Sequence, residues 1–169
     1  MRRKDREITH SAEVLDILNR CDTVRIAMHG DRYPYVVPVS FGIEEVDGKV
    51  ILYFHCAQQG LKVDLLKANP SVCIEGDIYI QVEKTAHGIT ARYESVIGFG
   101  ECELLCDTDE IKHGLKLLLD HYGYYDYPLE RCMGLRHVFV GKIVLNEITG
   151  KRNLPGALTS TDQTTMNQN

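Results

Sequence analysis

The sequence predicts a mainly β domain of the α+β class: an antiparallel β-barrel of about six strands with peripheral helices. Three observations predict it. Extended runs follow one another through tight turns, and tight turns imply antiparallel pairing. Helical patterns are confined to two or three separate stretches. A long strand-like run carries glycines at 98 and 100, as a bulge or a barrel corner requires. Closing such a sheet also removes its exposed edges.

Residues 11–20 (SAEVLDILNR) open the fold as a helix. Ser11 is a good N-cap residue, and Val14, Ile17, Leu18 and Cys21 form one apolar stripe. Residues 23–29 alternate, with Val24, Ile26 and Met28 on one face and Arg25, Ala27 and His29 on the other. Gly30-Asp31-Arg32 turns the chain into an extended run over 35–44. Pro34 and Pro38 cannot donate to a ladder, so this run has an edge or a break near its start. Asp47-Gly48 is a hairpin signal leading into a strand over 50–55. A helix over 60–69 is ended by Pro70.

Residues 71–75 read as a short strand. The stretch 77–90 is ambiguous: YIQVEK alternates, and Ala86-His87-Gly88 has the composition of a turn. Residues 92–105 form the long strand. Asp107 with Glu110 is a box-like helix start, and that helix runs to Tyr122 with Gly123 as its C-cap. Residues 124–133 are irregular and aromatic, and the Tyr122–Tyr127 cluster either packs in a core or interface or lines a substrate mouth. Residues 137–148 are the last strand. The domain therefore spans 1–152, and a Ser/Thr/Gln/Asn-rich tail over 153–169 is expected to be flexible.

At 169 residues the chain can bury a core without disulfides or metal. A formal net charge of −5 is not the electrostatic footprint of a nucleic-acid binder. No apolar run is long enough to span a bilayer, and no apolar stretch follows the basic start, so a cytoplasmic location is expected. The six cysteines lack a C-x-x-C pair and read as reduced core residues, with Cys102 and Cys106 on one strand face. His113 and His121 are eight apart on one helix, not an i, i+4 ligand pair, and no metal site is expected. Dinucleotide and Walker loops are absent from the sequence, and no spacing supports a Ser-His-Asp arrangement.

The densest chemistry lies in residues 53–70, YFHCAQQGLKVDLLKANP. A strand ends at His55, a small polar loop containing Gly60 follows, and a helix begins with Lys62 in its first turn. Helix-start N–H groups attract anions, whereas a lysine there opposes the helix dipole. A bound phosphate resolves that conflict; a solvated surface lysine is the competing reading.

The opening MRRKDREI, the run YPYVVPVSFG, the loop YFHCAQQGLKVDLLKANPSVCIEGD, the strand RYESVIGFGECELL and the terminal EITGK resemble the nitroimidazole-resistance (Nim) branch of the pyridoxamine-phosphate-oxidase-like flavoproteins. The H-[SC]-A-x-x-G-x-K pattern at 55–62 is the most specific part. The resemblance implies a split β-barrel and a homodimer with FMN, or FAD in its place, bound in clefts at the subunit interface. It implies NAD(P)H as electron donor and a small acceptor, a nitroaromatic such as a 5-nitroimidazole reduced to an amine. Pyridoxamine-phosphate oxidation itself is not expected, because the chain has no Trp and no C-terminal substrate residues of that enzyme.

The chemistry of FMN agrees with these segments. Gly60, the helix start and Lys62 suit its phosphate. Pro38, Val39, Ser40 and Phe41 offer carbonyls, amides and one hydroxyl to its ring, and His55, Cys56 and Ala57 close the pocket. By resemblance, a partner subunit adds Arg92, Tyr93 and Ser95. Arg25 is either a second phosphate partner or an exposed strand arginine. His55 is either a proton donor beside the flavin or a residue that caps the strand end. Cys56 is read as a small filler, at a position the family often fills with serine; a reactive thiol is the competing reading, with His55 as its one evident base. The competing function is a binding or sensing protein on the same barrel, holding flavin or haem without turnover, with His55 as a ligand contact.

Overall fold

The computed structural model describes residues 2–8, 10–86, 88–129 and 138–154. After a 3₁₀ turn at Lys4–Arg6, the elements are β1 (Glu7–Ile8), α1 (Ser11–Arg20), β2 (Val24–Met28), β3 (Tyr35–Val39), β4 (Phe41–Val46) and β5 (Lys49–Ala57). Then come α2 (Leu61–Ala68), β6 (Ser71–Thr85), β7 (Gly88–Leu104), α3 (Thr108–His121) and β8 (Val138–Asn153). The strands pair antiparallel in the order β3-β2-β6-β7-β8-β5-β4, with β1 against β8.

Local signals account for several elements. Asp47 and Gly48 both adopt positive φ, the two-residue turn that matches strand twist, and β4 and β5 pair across it. The β2 alternation holds, with Val24, Ile26 and Met28 buried. Asp107 caps α3: its Oδ1 accepts from the N–H groups of Asp109 and Glu110, each at 3.0 Å. Glu110 does not complete a box; its Oε1 accepts from Lys142 at 3.1 Å. Ser11 is not the N-cap of α1. His10 occupies that position without a side-chain cap, because Ser11 already lies inside the first turn.

The run over 35–44 divides at Ser40, which is where the predicted six strands become eight with the added β1. β3 pairs with β2, whereas β4 pairs with β5, and these are opposite edges of the sheet. A sheet whose edge strands are separated by one residue curls until the edges come close. At this seam the two edges are joined by the chain itself, and the sheet stays open there as a split barrel, with no ladder between β3 and β4. Pro38 sits on an edge strand, where its missing N–H leaves no bond unmade.

The ambiguous stretch 77–90 belongs to a long hairpin. β6 runs unbroken through Thr85 and pairs with β7 along its length, with an irregularity at Tyr79/Gln81. The expected bulge near the glycines of β7 lies between Phe99 and Gly100. β8 reaches Asn153, beyond the predicted end at 148, because β7 continues beside it to the Tyr93–Asn153 pair. Residues 155–169 of the expected tail, with His87, Cys132 and His137, lie outside the described residues.

Inside the barrel, Ile26, Phe41, Leu52, Phe54, Ile74, Val96 and Ile143 form the core, and α1 adds Val14, Ile17 and Leu18. A second cluster on the outer face joins Tyr53 and Val140 to Leu115 of α3. Among the described residues no element covers the outer face of β3, β2, β6 and β7, where Val36, Ile97 and Phe99 are exposed. Cys21 and Cys102 are buried free thiols, and Cys56 and Cys73 are half-buried. Cys106 does not share a strand face with Cys102: β7 ends at Leu104 and Cys106 is exposed beyond it. No helix among the described residues is long and apolar enough to cross a membrane.

Candidate functional site

The end of β5 and the start of α2 form one corner. Along β5, Phe54 points inward and is fully buried, while His55 and Ala57 face outward and are exposed. Cys56 faces the core and is half-buried. Burial pushes its thiol above the ordinary value while Lys62 pulls weakly the other way, so the reactive thiolate is disfavoured. Gly60 takes φ +126 at the N-cap of α2, a left-handed-side conformation suited to glycine, which brings no side chain of its own to cap the helix. The Gly60 carbonyl accepts from Val63 and Asp64, which leaves the Leu61 and Lys62 N–H groups without an intrahelical partner.

Lys62 is half-buried, and its Nζ lies 5.6 Å from the centroid of the Phe54 ring. Phe54 in turn faces Phe41 across the β4–β5 ladder. Lys62, Phe54 and Phe41 therefore connect the α2 start to the seam. Ser40 is exposed there, between buried Val39 and buried Phe41. Among the described residues, lysine ion pairs use Lys112, Lys116 and Lys142, not Lys62. A half-buried lysine with no carboxylate partner among the described residues, beside helix N–H groups that lack an intrahelical partner, is an environment for a bound anion.

The structure separates the remaining candidates from this corner. Arg25 stands opposite Pro38, but its Nη1 binds Glu75 Oε2 at 2.9 Å and Asp77 Oδ1 at 2.5 Å. Two carboxylates consume its charge, so its reading as a phosphate partner is not supported. Arg92 is engaged by Glu83, by Asn153 Oδ1 at 3.2 Å and by the Leu154 carbonyl at 2.9 Å. Burial resists ionisation of Tyr93, yet hydrogen bonds from Lys151 and Arg6 outweigh it and hold its phenol below the ordinary value. Ser95 lies between Asp77 and Lys151 on the flanking strands.

Ala57 pairs with Val138 and Tyr93 with Asn153, the two ends of the 16-residue β8. That is about 50 Å of strand at ~3.3 Å per residue. One chain therefore does not bring Arg92, Tyr93 and Ser95 to the His55–Lys62 corner. A cleft of about 550 Å³ lies on the outer face, bordered by His29, Arg32, Tyr33, Cys73, Phe99 and Glu101. Sequence reasoning did not single out Phe54, although its inward place in the β5 pattern made it readable as core. It also gave His121 no role and read Tyr122 only as one member of an aromatic cluster; both touch the seam, through contacts no local pattern encodes, whereas Tyr124, Tyr125 and Tyr127 of that cluster are exposed.

The family model for pyridoxamine 5'-phosphate oxidase matches residues 10–152. Among solved structures, a candidate 5-nitroimidazole antibiotic resistance protein from Bacteroides thetaiotaomicron is 28% identical, with a TM-score of 0.74 over 86% of each chain. A flavocytochrome from Azotobacter vinelandii is 17% identical, with a TM-score of 0.75 over 98% of this chain and 77% of that one. An FAD-binding protein from Mesorhizobium loti is 22% identical, with a TM-score of 0.63 over 88% and 98% of the two chains. The last two likenesses show the fold alone. No curated protein matches the sequence.

Proposed function

The chain belongs to the pyridoxamine 5'-phosphate oxidase family, and on that premise we propose that it is an FMN-dependent oxidoreductase of the nitroimidazole-resistance type, acting as a homodimer. NAD(P)H is the donor in this reading, and a nitroaromatic such as a 5-nitroimidazole is the acceptor. A cytoplasmic location goes with it. The observation that carries the reading is the Gly60–Lys62 corner, where a half-buried lysine with no carboxylate partner among the described residues meets helix N–H groups that lack an intrahelical partner, beside the seam.

The residues fit FMN. Lys62 and the α2 start suit a phosphate, and the exposed backbone and hydroxyl of Ser40 suit the hydrogen-bonding edge of a flat ring. FAD presents the same two groups. Bound flavin supplies hydride and electron transfer between a nicotinamide and an acceptor. His55, exposed on the outer face beside this backbone, can hold a proton for the acceptor. The dimer is supported by two features: the exposed Val36, Ile97 and Phe99 on the outer face of β3, β2, β6 and β7, and the stranding of Arg92, Tyr93 and Ser95 at the far end of β8. A two-fold partner would bring that far end to the corner.

The test is the absorption spectrum of the purified protein, then FMN titration and NAD(P)H consumption with a 5-nitroimidazole. Flavin bands, saturation at one FMN per chain and acceptor-dependent NAD(P)H loss are expected. A Soret band, or no bound chromophore after FMN addition, overturns the reading.

A further inference from the structure

We propose that Tyr122, assisted by His121, is a positioning residue that sets the cofactor-facing backbone at Ser40–Phe41 by pinning the seam of the barrel. The inference rests on the flavin reading of that backbone. The seam has no β-ladder, since β3 and β4 pair in opposite directions around the barrel. Something else must hold its width. The C-terminal end of α3 does so from both sides.

On the β4 side, the Phe41 N–H donates to the Tyr122 hydroxyl at 3.3 Å, and the His121 ring packs on the Phe41 ring with centroids 4.3 Å apart. On the side that leads into β2, the Tyr122 hydroxyl donates to the Asp22 carbonyl at 2.6 Å. His121 Nε2 lies 2.8 Å from the Cys21 carbonyl, which accepts from it when that nitrogen is protonated. One hydroxyl thus accepts from one half of the split barrel and donates to the other. Both bonded partners are backbone groups, so the pin fixes main-chain position, not a replaceable side chain.

Phe41 is fully buried, and its N–H has the Tyr122 oxygen as its acceptor. Removing that oxygen orphans a buried donor one residue from Ser40. The backbone relieves the orphaned group by shifting, and the shift is delivered to the flavin contact. The two rings also lock: His121 and Tyr122 pack edge-to-face at 4.9 Å.

The experiment compares FMN binding by wild type, Tyr122→Phe and Val14→Ala. Val14 is buried in the first turn of α1 beside Gly150 of β8, about two helical turns before Cys21, and makes no contact with the Tyr122 pin, so Val14→Ala reports on lost stability alone. Tyr122→Phe is expected to raise the FMN dissociation constant about tenfold and to move the visible bands of bound flavin at saturation. Val14→Ala is expected to leave bound-flavin bands and affinity unchanged at a comparable drop in thermal midpoint. If Tyr122→Phe does not fold, His121→Gln removes the ring packing on Phe41 and should displace the same bands. Wild-type FMN binding with unchanged affinity and bands in the seam variants overturns this inference alone. Equal weakening by Val14→Ala also overturns it. Failure of wild type to bind FMN defeats the flavin reading and this inference with it.

Discussion

Arg20 places its Nη2 2.7 Å from the Oε2 of Glu94, a carboxylate with 5% of its surface exposed. Arg152 Nε lies 3.4 Å from the other oxygen, and Arg152 also binds Glu13 at 2.6 Å. The clasp ties α1 to β7 and β8 where the helix inserts into the barrel. Glu94→Gln removes the charge that both arginines face but leaves them partly solvated. It is expected to lower stability by about 2 kcal/mol, read from urea denaturation. A change below a few tenths would show the clasp to be neutral.

Gly42 lets α3 lie directly on β4. A Cβ there would stand 2.4 Å from the backbone carbon of Leu117. Helix backbone cannot yield by rotamer change, so α3 must lift. Gly42→Ala is therefore expected to be destabilising by about 3 kcal/mol, with a lowered thermal midpoint. Because the same helix ends at the seam pin, the variant should also weaken FMN binding.

Lys62 and Arg25 make opposite predictions. Lys62 has no carboxylate partner among the described residues, whereas Arg25 is held by Glu75 and Asp77. Lys62→Ala is expected to weaken FMN affinity about 10–100-fold with the fold intact, the loss of one charge-assisted contact. Arg25→Ala should leave FMN affinity within about twofold of wild type. Isothermal titration of both variants distinguishes them, and the reverse ranking would move the phosphate to β2.

Alkaline pH should unfold the protein earlier than neutral pH. Burial pushes the Cys21 thiol up to about 11 and the Cys102 thiol up to about 12, from an ordinary 9.0. Burial and the bond to Glu44 raise the Tyr53 phenol in the same direction. Above pH 9 the folded chain keeps protons that the unfolded chain has lost, so stability falls as pH rises. Urea midpoints should be level from these groups up to about pH 9 and decline through pH 11–12. Cys102→Ala should make the decline shallower; an unchanged slope would exclude that thiol as a source.

Phe99 is half exposed on the outer face beside the 550 Å³ cleft. Phe99→Asp introduces a charge where the proposed partner would sit, without touching the core. It is expected to convert a dimer to a monomer in sedimentation and to lose FMN in the same step. A monomer that retains full FMN occupancy would remove the interface from the site.

The parts legible in the sequence are those whose signals lie within a few residues. The Asp47-Gly48 turn, the Asp107 cap, the α1 stripe and the bulge beside Gly100 all follow from local dihedral preference, capping geometry and hydrophobic period. The family-like segments placed His55, Gly60 and Lys62 at one strand–helix junction, which is where the structure has them. Tertiary structure alone decided the rest. The prolines of the 35–44 run mark an edge or a break near its start but not its place at Ser40, because alternation continues there while the pairing partner changes from β2 to β5. Arg25 looked free until β6 brought Glu75 and Asp77 beside it, some 50 residues along the chain. Tyr122 reached Phe41 across 81 positions. Such contacts depend on which strands close the sheet, and that choice is made by summed burial and ladder pairing over the whole barrel. No window of a few residues carries it.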